Sequence, residues 1–580
     1  MDVQKKDMEN SLESKDSKDK KIAGKKIVII GGISAGTSAA AKARRLSDDA
    51  EIVIYEKYKY ISYATCGLPY FVSGKIPALD NLLVNTVKQF ELRFNMKVNT
   101  LSEVIKINPE NKSLIIKDLN TDNLFNDTYD KLIIATGTAA INFNQEMLTA
   151  KNVFMHRTID DAIRLKDYME ETANKPEKSL NAVIIGGGYI GLELVEAFLA
   201  KGFKVTIIEK TNQILPLFDS EIIEYLESYL LEKGVSILKK EEVKYFKKDD
   251  NDILIKLNTS SGKEFSPDIL IFSIGTKPEV KLAQDCGIAI GSSGAITVDE
   301  YLNTSEPDIY AAGDCCECKN FINGKKQSYN LASIANIQGR CAGYNAAGGS
   351  SKYTDAIPTS IIKILDVAIG KTGMSLKEAK SLGINSKKIE LHSLHHAGYY
   401  PGASMMHMML IYNEDSGDIL GFEAIGKEGI DKKTDIISVA IRARMKIWEI
   451  VSLNLSYQPA YGSAKDPINI LGMIGENIFK KEVKFIDPEE LKEKLANNES
   501  ITVLDVRTRK EYSLGHIDTA INIPIDELRD NIDKLNKDWN IVVYCRTSYR
   551  SYLTYRILKN KGFNNVWNLN GSYLSWVRKM

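Results

Sequence analysis

Short, wholly apolar runs recur along the chain, separated by longer mixed stretches, and they come in pairs. Lys26-Ile27-Val28-Ile29-Ile30 leads into the turn Gly31-Gly32-Ile33-Ser34-Ala35-Gly36, an alanine-rich stretch at 37–46 and a second apolar run at 51–55. Runs this short and this uniformly apolar predict parallel strands buried on both faces, and the stretch between them predicts a helix. The layout returns with a strand at 181–185, the turn Gly186-Gly187-Gly188-Tyr189-Ile190-Gly191, a helix at 192–201 and a strand at 204–208. One β-α-β unit is therefore present twice. After about residue 355 the period changes, and the alternating runs at 360–365 and 405–411 predict an antiparallel sheet carrying a helix at 435–447. A last α/β region shows a helix at 488–495, strands at 501–505 and 541–544 and a helix at 551–559.

Composition narrows the function classes. The 580 residues suggest roughly four domains. Lys plus Arg and Asp plus Glu number 76 each, so the chain has no basic excess for nucleic acid or an anionic membrane. No apolar run is long enough to span a bilayer and the N-terminus has no signal-like apolar segment, which predicts a cytoplasmic protein. Seven scattered cysteines make no disulfide framework, and Cys315, Cys316 and Cys318 lack partners at a metal-binding spacing, so no metal is expected. Residues 1–24, dominated by Lys, Asp, Glu and Ser, predict a disordered tail.

A strand that ends in a glycine-rich turn and opens a helix aims backbone N–H groups at a pyrophosphate, and an acid ending the next strand accepts from a ribose. Gly186, Gly188 and Gly191 complete that pattern with Glu209, and Gly31 and Gly36 repeat it with Ile33 in the middle place and Glu56 as the acid. Further strands end in Ala135-Thr136-Gly137 and Ala312-Gly313-Asp314. In this order the motifs resemble the pyridine nucleotide–disulfide oxidoreductase family over about residues 25–470. The resemblance implies an α/β fold with two Rossmann-like domains: an FAD domain (25–150 and 275–350) and an NAD(P)H domain (151–274). An α+β dimerisation domain (351–470) would follow, making the protein a homodimer. FAD would lie on Gly31, Ile33, Ser34, Ala35, Gly36, Glu56, Lys57, Thr136 and Gly137, with Asp314 on its ribityl chain. The nicotinamide dinucleotide would lie on Gly186, Gly188, Tyr189, Ile190, Gly191, Glu209 and Gly275. Glu209 would repel a 2′-phosphate and favours NADH; Lys210 beside it leaves NADPH open.

Ser62-Tyr63-Ala64-Thr65-Cys66-Gly67-Leu68-Pro69-Tyr70 holds one cysteine with no close second. Such a thiol cycles through a mixed disulfide, a sulfenic acid or a persulfide, and a helix beginning just after it favours the thiolate. The segment is similar to the coenzyme A-disulfide and CoA-persulfide reductase branch; NADH oxidases and peroxidases of the same fold share the single cysteine. That resemblance implies contacts to coenzyme A from Ser38, Lys42, Arg45, Ser62, Thr65 (where the branch has Asn), Asn336 and Lys465. Lys42 and Arg45 lie three apart on one helix and can face one phosphate. It also implies that Tyr399 and Tyr457, in the segments 395–402 and 457–467, reach the partner's flavin site and assist the departing thiolate.

Tyr544-Cys545-Arg546-Thr547-Ser548-Tyr549-Arg550 is a strand end, a six-residue loop from Cys545 to Arg550 and a helix start. Converging loop N–H groups, with Arg546 and Arg550, would hold an anion or a Cys545 persulfide. Leu504-Asp505-Val506-Arg507 and Gly515-His516-Ile517 complete a resemblance to a rhodanese domain at 485–580, after a linker at 471–484. Asn570-Gly571-Ser572 stands where that family has Gly-Gly. His156, His392 and His407 read as ordinary surface or core histidines. The expected activity is a FAD-dependent NAD(P)H reductase of CoA persulfide, polysulfide or CoA disulfide, fed by the rhodanese site; small-molecule thiols and persulfides are its partners. The alternatives are an NADH oxidase or peroxidase cycling Cys66 through sulfenic acid, a sulfurtransferase or carrier with a regulatory flavin module, and a redox sensor.

Overall fold

The computed structural model describes residues 24–141, 144–174 and 180–578, so nearly all of the tail expected at 1–24 lies outside the described residues. The chain divides into two compact units, one of residues 1–143, 157–164 and 275–356, the other of 144–156, 165–274 and 357–580.

The first unit is built on a five-stranded parallel sheet in the order Ile309–Ala311, Lys131–Ile134, Lys26–Ile30, Glu51–Tyr55, Lys97–Asn99. Its central strands are apolar apart from their first residues because both faces are covered, whereas the edge strand Lys97–Asn99 buries only Val98. Helices Ser34–Leu46 and Ala332–Ala346 pack closely against each other along a seam of small residues. A Cβ on Gly339 would stand 2.2 Å from the Ala35 carbonyl oxygen, and one on Gly343 would stand 2.1 Å from that of Ala39. Only glycine lets the two backbones approach this far.

Among its described residues the second unit holds three five-stranded sheets and a small three-stranded antiparallel one, Val243–Lys248, Leu254–Thr259 and Glu264–Phe265. A parallel sheet runs Ser236–Lys239, Lys204–Glu209, Asn181–Ile185, Ile269–Phe272, Val153–Met155. An antiparallel sheet runs Thr359–Ile364, Val367–Gly373, Ile419–Gly426, Met405–Asn413, Ser386–Leu394. A second parallel sheet runs Phe485–Ile486, Val566–Leu569, Ile541–Tyr544, Thr502–Asp505, Ile521–Asn522.

Two expectations change here. The helix on the antiparallel sheet is Ile430–Arg442, not 435–447: Ile430, Thr434, Ile437 and Ile441 form its buried stripe at helical spacing, and Arg444 already has a positive φ of 55°. The stretch expected to be linker at 471–484 is helical as far as residue 479, within the helix Pro467–Phe479. Asp466 caps that helix by accepting from the Ile468 N–H at 2.9 Å, ahead of Pro467 in the first turn. Gly472 and Gly475, which suggest a loop in sequence, are contact points; a Cβ on Gly472 would meet the Val451 nitrogen at 2.4 Å and one on Gly475 the Ile447 side chain at 2.5 Å. Among the described residues, no helix is long and apolar enough to cross a membrane.

Candidate active sites

The first glycine turn is held from two sides. Gly31 has φ 106°, and a Cβ there would meet the Ala135 oxygen at 2.2 Å, so the turn lies directly on the neighbouring strand end. Glu56, buried at the end of its strand, accepts from the Gly32 N–H at 2.7 Å and from the Tyr58 N–H at 2.9 Å. Burial raises its pKa, and these two N–H donors and the Lys57 charge hold it back. Thr136 donates its hydroxyl to the Glu279 oxygen at 2.6 Å, fixing the Thr136-Gly137 strand end, while Gly275 has φ 101°.

Asp314 follows Gly313, whose N–H donates to Gln338 Oε1 at 2.8 Å. Burial pushes the Asp314 carboxyl up to about 6, with Arg157 the one charge opposing the rise. Among the described residues this carboxylate has no hydrogen-bond donor. A half-buried acceptor with no donor among the described residues suits a ligand rich in hydroxyls, and the residues present therefore fit an FAD ribityl chain. Arg157 was not singled out in the sequence, since it joins this unit only through the short insert at 157–164.

The Cys66 segment is tied to that turn. Ser62, at φ 50°, donates its N–H to the Gly32 oxygen at 2.8 Å and accepts from the Val84 N–H at 2.8 Å, while Ala64 donates to the Leu82 oxygen at 2.9 Å. Cys66 lies in the 3-10 turn Thr65–Gly67 and is exposed; its successor Gly67 packs closely on Leu82, whose terminal methyl a Cβ there would meet at 2.4 Å. The helix that follows, Leu68–Val72, has only five residues, so the dipole support expected for a thiolate is small. Of the other six cysteines, Cys286 is half-buried and five are buried, and no disulfide forms among the seven. Burial raises the thiols of Cys315, Cys316 and Cys318.

Ser38 and Asn336 meet across the small-residue seam, Ser38 donating to Asn336 Oδ1 at 2.5 Å. One turn along, the Lys42 ammonium sits 4.7 Å from the centre of the Tyr344 ring. Slight burial lowers its pKa, as do the charges of Arg340 and Arg45. Lys42, Arg45 and Arg340 thus converge into one cationic patch of the kind that binds phosphate. Arg340 and Tyr344 come from a helix roughly three hundred residues downstream, and only the Gly339 and Gly343 seam in the sequence could have pointed to them. Thr65 is half-buried near Cys66, and Lys465 is an exposed residue of the second unit.

The second glycine turn repeats the first. Gly186 has φ 97° and a Cβ there would meet the Ser273 oxygen at 2.3 Å. Glu209 accepts from the Gly187 N–H at 2.8 Å and from the Thr211 N–H at 2.8 Å, the same two positions that Glu56 uses. Gly188 caps the helix Tyr189–Ala200, and Gly191 donates to Ser273 Oγ at 2.9 Å, leaving N–H groups of the first turn for a pyrophosphate. Lys210 pairs with Glu242 at 2.5 Å and is thereby drawn to a carboxylate. Burial raises Glu193 on the same helix to about 7, a group not picked out in the sequence. The phenols of Tyr399 and Tyr457 are exposed and bonded to each other at 3.0 Å, and that bond raises the Tyr399 pKa.

Around Cys545 the loop is enclosed. The Cys545 side chain is buried, and Ser551 and Ser572 place their hydroxyls 3.6 and 3.9 Å from its Sγ. The Cys545 N–H donates to Ser572 Oγ at 2.9 Å. Arg550 makes two 2.7 Å bonds to Glu511, and the Cys545 side chain also faces it. These contacts to Arg550 hold the Glu511 carboxyl down at about 2. Arg546 is exposed at the loop mouth. Asp505 and Arg507 form a brace instead of a binding pair: Arg507 grips Asp505, donates to the Gly515 oxygen at 2.7 Å and stacks 3.9 Å from the centre of the Tyr573 ring.

Residues 25–339 match the model of the pyridine nucleotide-disulphide oxidoreductase family. The chain belongs to that family. Residues 359–466 match its dimerisation domain and residues 487–579 a rhodanese-like domain. A solved structure described as reduced Bacillus anthracis CoADR-RHD is 36% identical, with TM-score 0.91 over 96% of this chain and 98% of that one. A Pyrococcus horikoshii protein named NAD(P)H coenzyme A polysulfide/persulfide reductase is 31% identical over 78% of this chain and 98% of its own length. A Methanocaldococcus jannaschii protein named NADH oxidase is also 31% identical, over 78% of this chain and 98% of its own. An NAD(P)H-dependent flavoprotein oxidoreductase is therefore the enzyme class.

Proposed function

We propose that the protein reduces CoA persulfide, polysulfide or CoA disulfide with electrons from NAD(P)H, and that Cys545 handles the sulfane sulfur on the same chain. The observation that carries this reading is one exposed cysteine in a unit that also gathers Lys42, Arg45 and Arg340 into a phosphate-binding patch. FAD, when bound, supplies the two-electron relay between nicotinamide and sulfur. The Cys66 thiolate attacks one sulfur of CoA-S-S-R or CoA-S-SH, forms a new S–S bond and expels the other sulfur as a thiolate or hydrosulfide. Two electrons from NAD(P)H and one proton then release the second thiol and restore the Cys66 thiolate. The Tyr399–Tyr457 pair, on a domain of the dimerising kind, is assigned as the proton donor to the departing sulfur of a second copy. Ser38 and Asn336 hold the pantetheine side of the substrate, and Glu209 favours NADH.

An NADH oxidase reading draws on the relative of that name and on the same exposed cysteine. NADH consumption by the purified protein with oxygen, peroxide, CoA disulfide and polysulfide separates the two, alongside intact mass of the Cys66 peptide. A CoA adduct on Cys66 with rapid CoA disulfide or polysulfide turnover is the expected result. Rapid oxygen or peroxide turnover with a +16 or +32 mass on Cys66, and no sulfur turnover, would overturn it.

A further inference from the structure

The position where rhodanese-like sequences carry Gly-Gly, and this chain carries Asn570-Gly571-Ser572, is where the Cys545 loop is tied to the rest of its unit. Strand Ser386–Leu394 is an edge of the antiparallel sheet, and an edge leaves backbone donors and acceptors open. The buried Asn570 side chain closes that edge: its Oδ1 accepts from the Glu390 N–H at 2.9 Å, and its Nδ2 donates to the Lys388 oxygen at 3.1 Å and to Asp487 Oδ1 at 2.8 Å. Gly571, at φ 65°, lets Glu390 come close, since a Cβ there would stand 3.0 Å from the Glu390 Cβ.

The contact continues along the helix Ser572–Val577. Ser575 donates to Glu390 Oε2 at 2.6 Å and meets His392 Nε2 at 2.9 Å, while His407 reaches the same Glu390 oxygen at 3.1 Å. Tyr225, from the helix Ser220–Glu232, donates to the Leu574 oxygen at 2.8 Å. On its other side this segment supports the reactive loop. Ser572 accepts from the Cys545 N–H, Tyr573 donates its N–H to the Cys545 oxygen at 3.1 Å, and Leu574 donates to the Arg546 oxygen at 3.2 Å. Residues 570–575 thus exchange hydrogen bonds with two other domains on one side and give the backbone frame of Cys545 and Arg546 on the other.

We infer that Asn570, Ser575 and Tyr225 are positioning residues for the Cys545 thiol, so that the sulfur-carrying loop is aligned from outside its own domain. The Ser572 and Ser551 hydroxyls reach Sγ at the limit of hydrogen bonding, where a small displacement removes their support for a thiolate. Misplacing a reacting group by about 1 Å can cost on the order of a hundredfold in rate.

The inference rests on the reading of Cys545 as the sulfane-sulfur carrier, and the test separates the two. In the full-length protein carrying FAD, the rate of Cys545 alkylation by iodoacetamide is followed against pH by peptide-resolved mass spectrometry. Thiosulfate:cyanide sulfur transfer and NADH-driven flavin reduction are measured on the same samples. Asn570→Ala and Ser575→Ala are expected to change the pH profile of Cys545 alkylation and slow it several-fold. They should slow sulfur transfer about tenfold in kcat and leave flavin reduction as in the parent. Tyr225→Phe removes one O–H donor with little change of shape, and about a threefold loss is expected from it even if the alanine variants do not fold. Parent-like alkylation profiles and transfer rates in Tyr225→Phe and in every variant that folds, whatever happens to the melting temperature, would overturn the positioning role. A parent protein without sulfur transfer would instead sink the carrier reading, and the alkylation profiles would still judge the alignment.

Discussion

Cys66 and Cys545 sit in surroundings of opposite kinds. Cys66 stands exposed on a short turn, in the same unit as Asp314, a half-buried carboxylate with no hydrogen-bond donor among the described residues. Cys545 is buried beside Arg550, Ser551 and Ser572, each engaged by the chain itself, while the Ser548 hydroxyl has no partner among the described residues. The first region becomes an active site only with a large cofactor and a bulky thiol substrate in place, whereas the second is complete for a single sulfur atom. Size of the reacting partner, more than intrinsic reactivity, is what the two environments sort.

Exchanging the two chemistries breaks the comparison most sharply. Cys66→Ser is expected to lower CoA disulfide or polysulfide turnover by at least about a thousandfold while thiosulfate:cyanide transfer stays near the parent value, and Cys545→Ser should do the reverse. Steady-state rates with both substrate pairs check this. Loss of both activities in either variant would mean that one sulfur site serves both reactions.

Opposite pH responses follow from the two carboxylates. Asp314 in the folded, flavin-free unit holds its proton to about pH 6, against an ordinary value of 3.8. Between those values the folded state binds a proton that the unfolded chain has released, so stability falls as pH rises, by about 3 kcal/mol. Glu511 is shifted the other way, to about 2 from 4.5 by its bonds to Arg550, so its contribution is present above pH 4.5 and is lost as pH falls toward 2. Hydrogen exchange of the apoprotein, resolved by peptide between pH 3 and 7, should show the first unit loosening toward neutral pH and the Cys545 loop loosening toward acid. Asp314→Asn should abolish the first trend only.

The smallest effect concerns the one strained point of the enclosed loop. Ser548 has φ 77°, a left-handed conformation that costs a non-glycine residue about 1 kcal/mol, and its buried hydroxyl has no partner among the described residues. Ser548→Gly should raise the stability of this domain by about 0.5–1 kcal/mol in chemical unfolding. Reduced stability would show that the hydroxyl is engaged after all.

Local chemistry was legible in the sequence. Both glycine turns, their acids and the loop from Cys545 to Arg550 are contiguous, and backbone geometry alone dictates the residue types they need. What escaped were groups delivered by distant elements: Arg340 and Tyr344 beside Lys42, Arg157 facing Asp314, and Glu511 and Ser572 around Cys545. None has a local signature, because each acts through a tertiary contact. The linker expected at 471–484 has another cause. Glycines that serve close packing, such as Gly472 and Gly475, look the same in sequence as glycines that break helices.

Glu56 and Glu209 each close a ring of backbone across the turn that precedes them, a latch made wholly of the chain's own groups. Both nucleotide cradles are therefore moulded in advance by the polypeptide. Stripping the protein of its prosthetic group should leave a vacant mould rather than a collapsed one, which makes reloading a matter of docking and not of refolding.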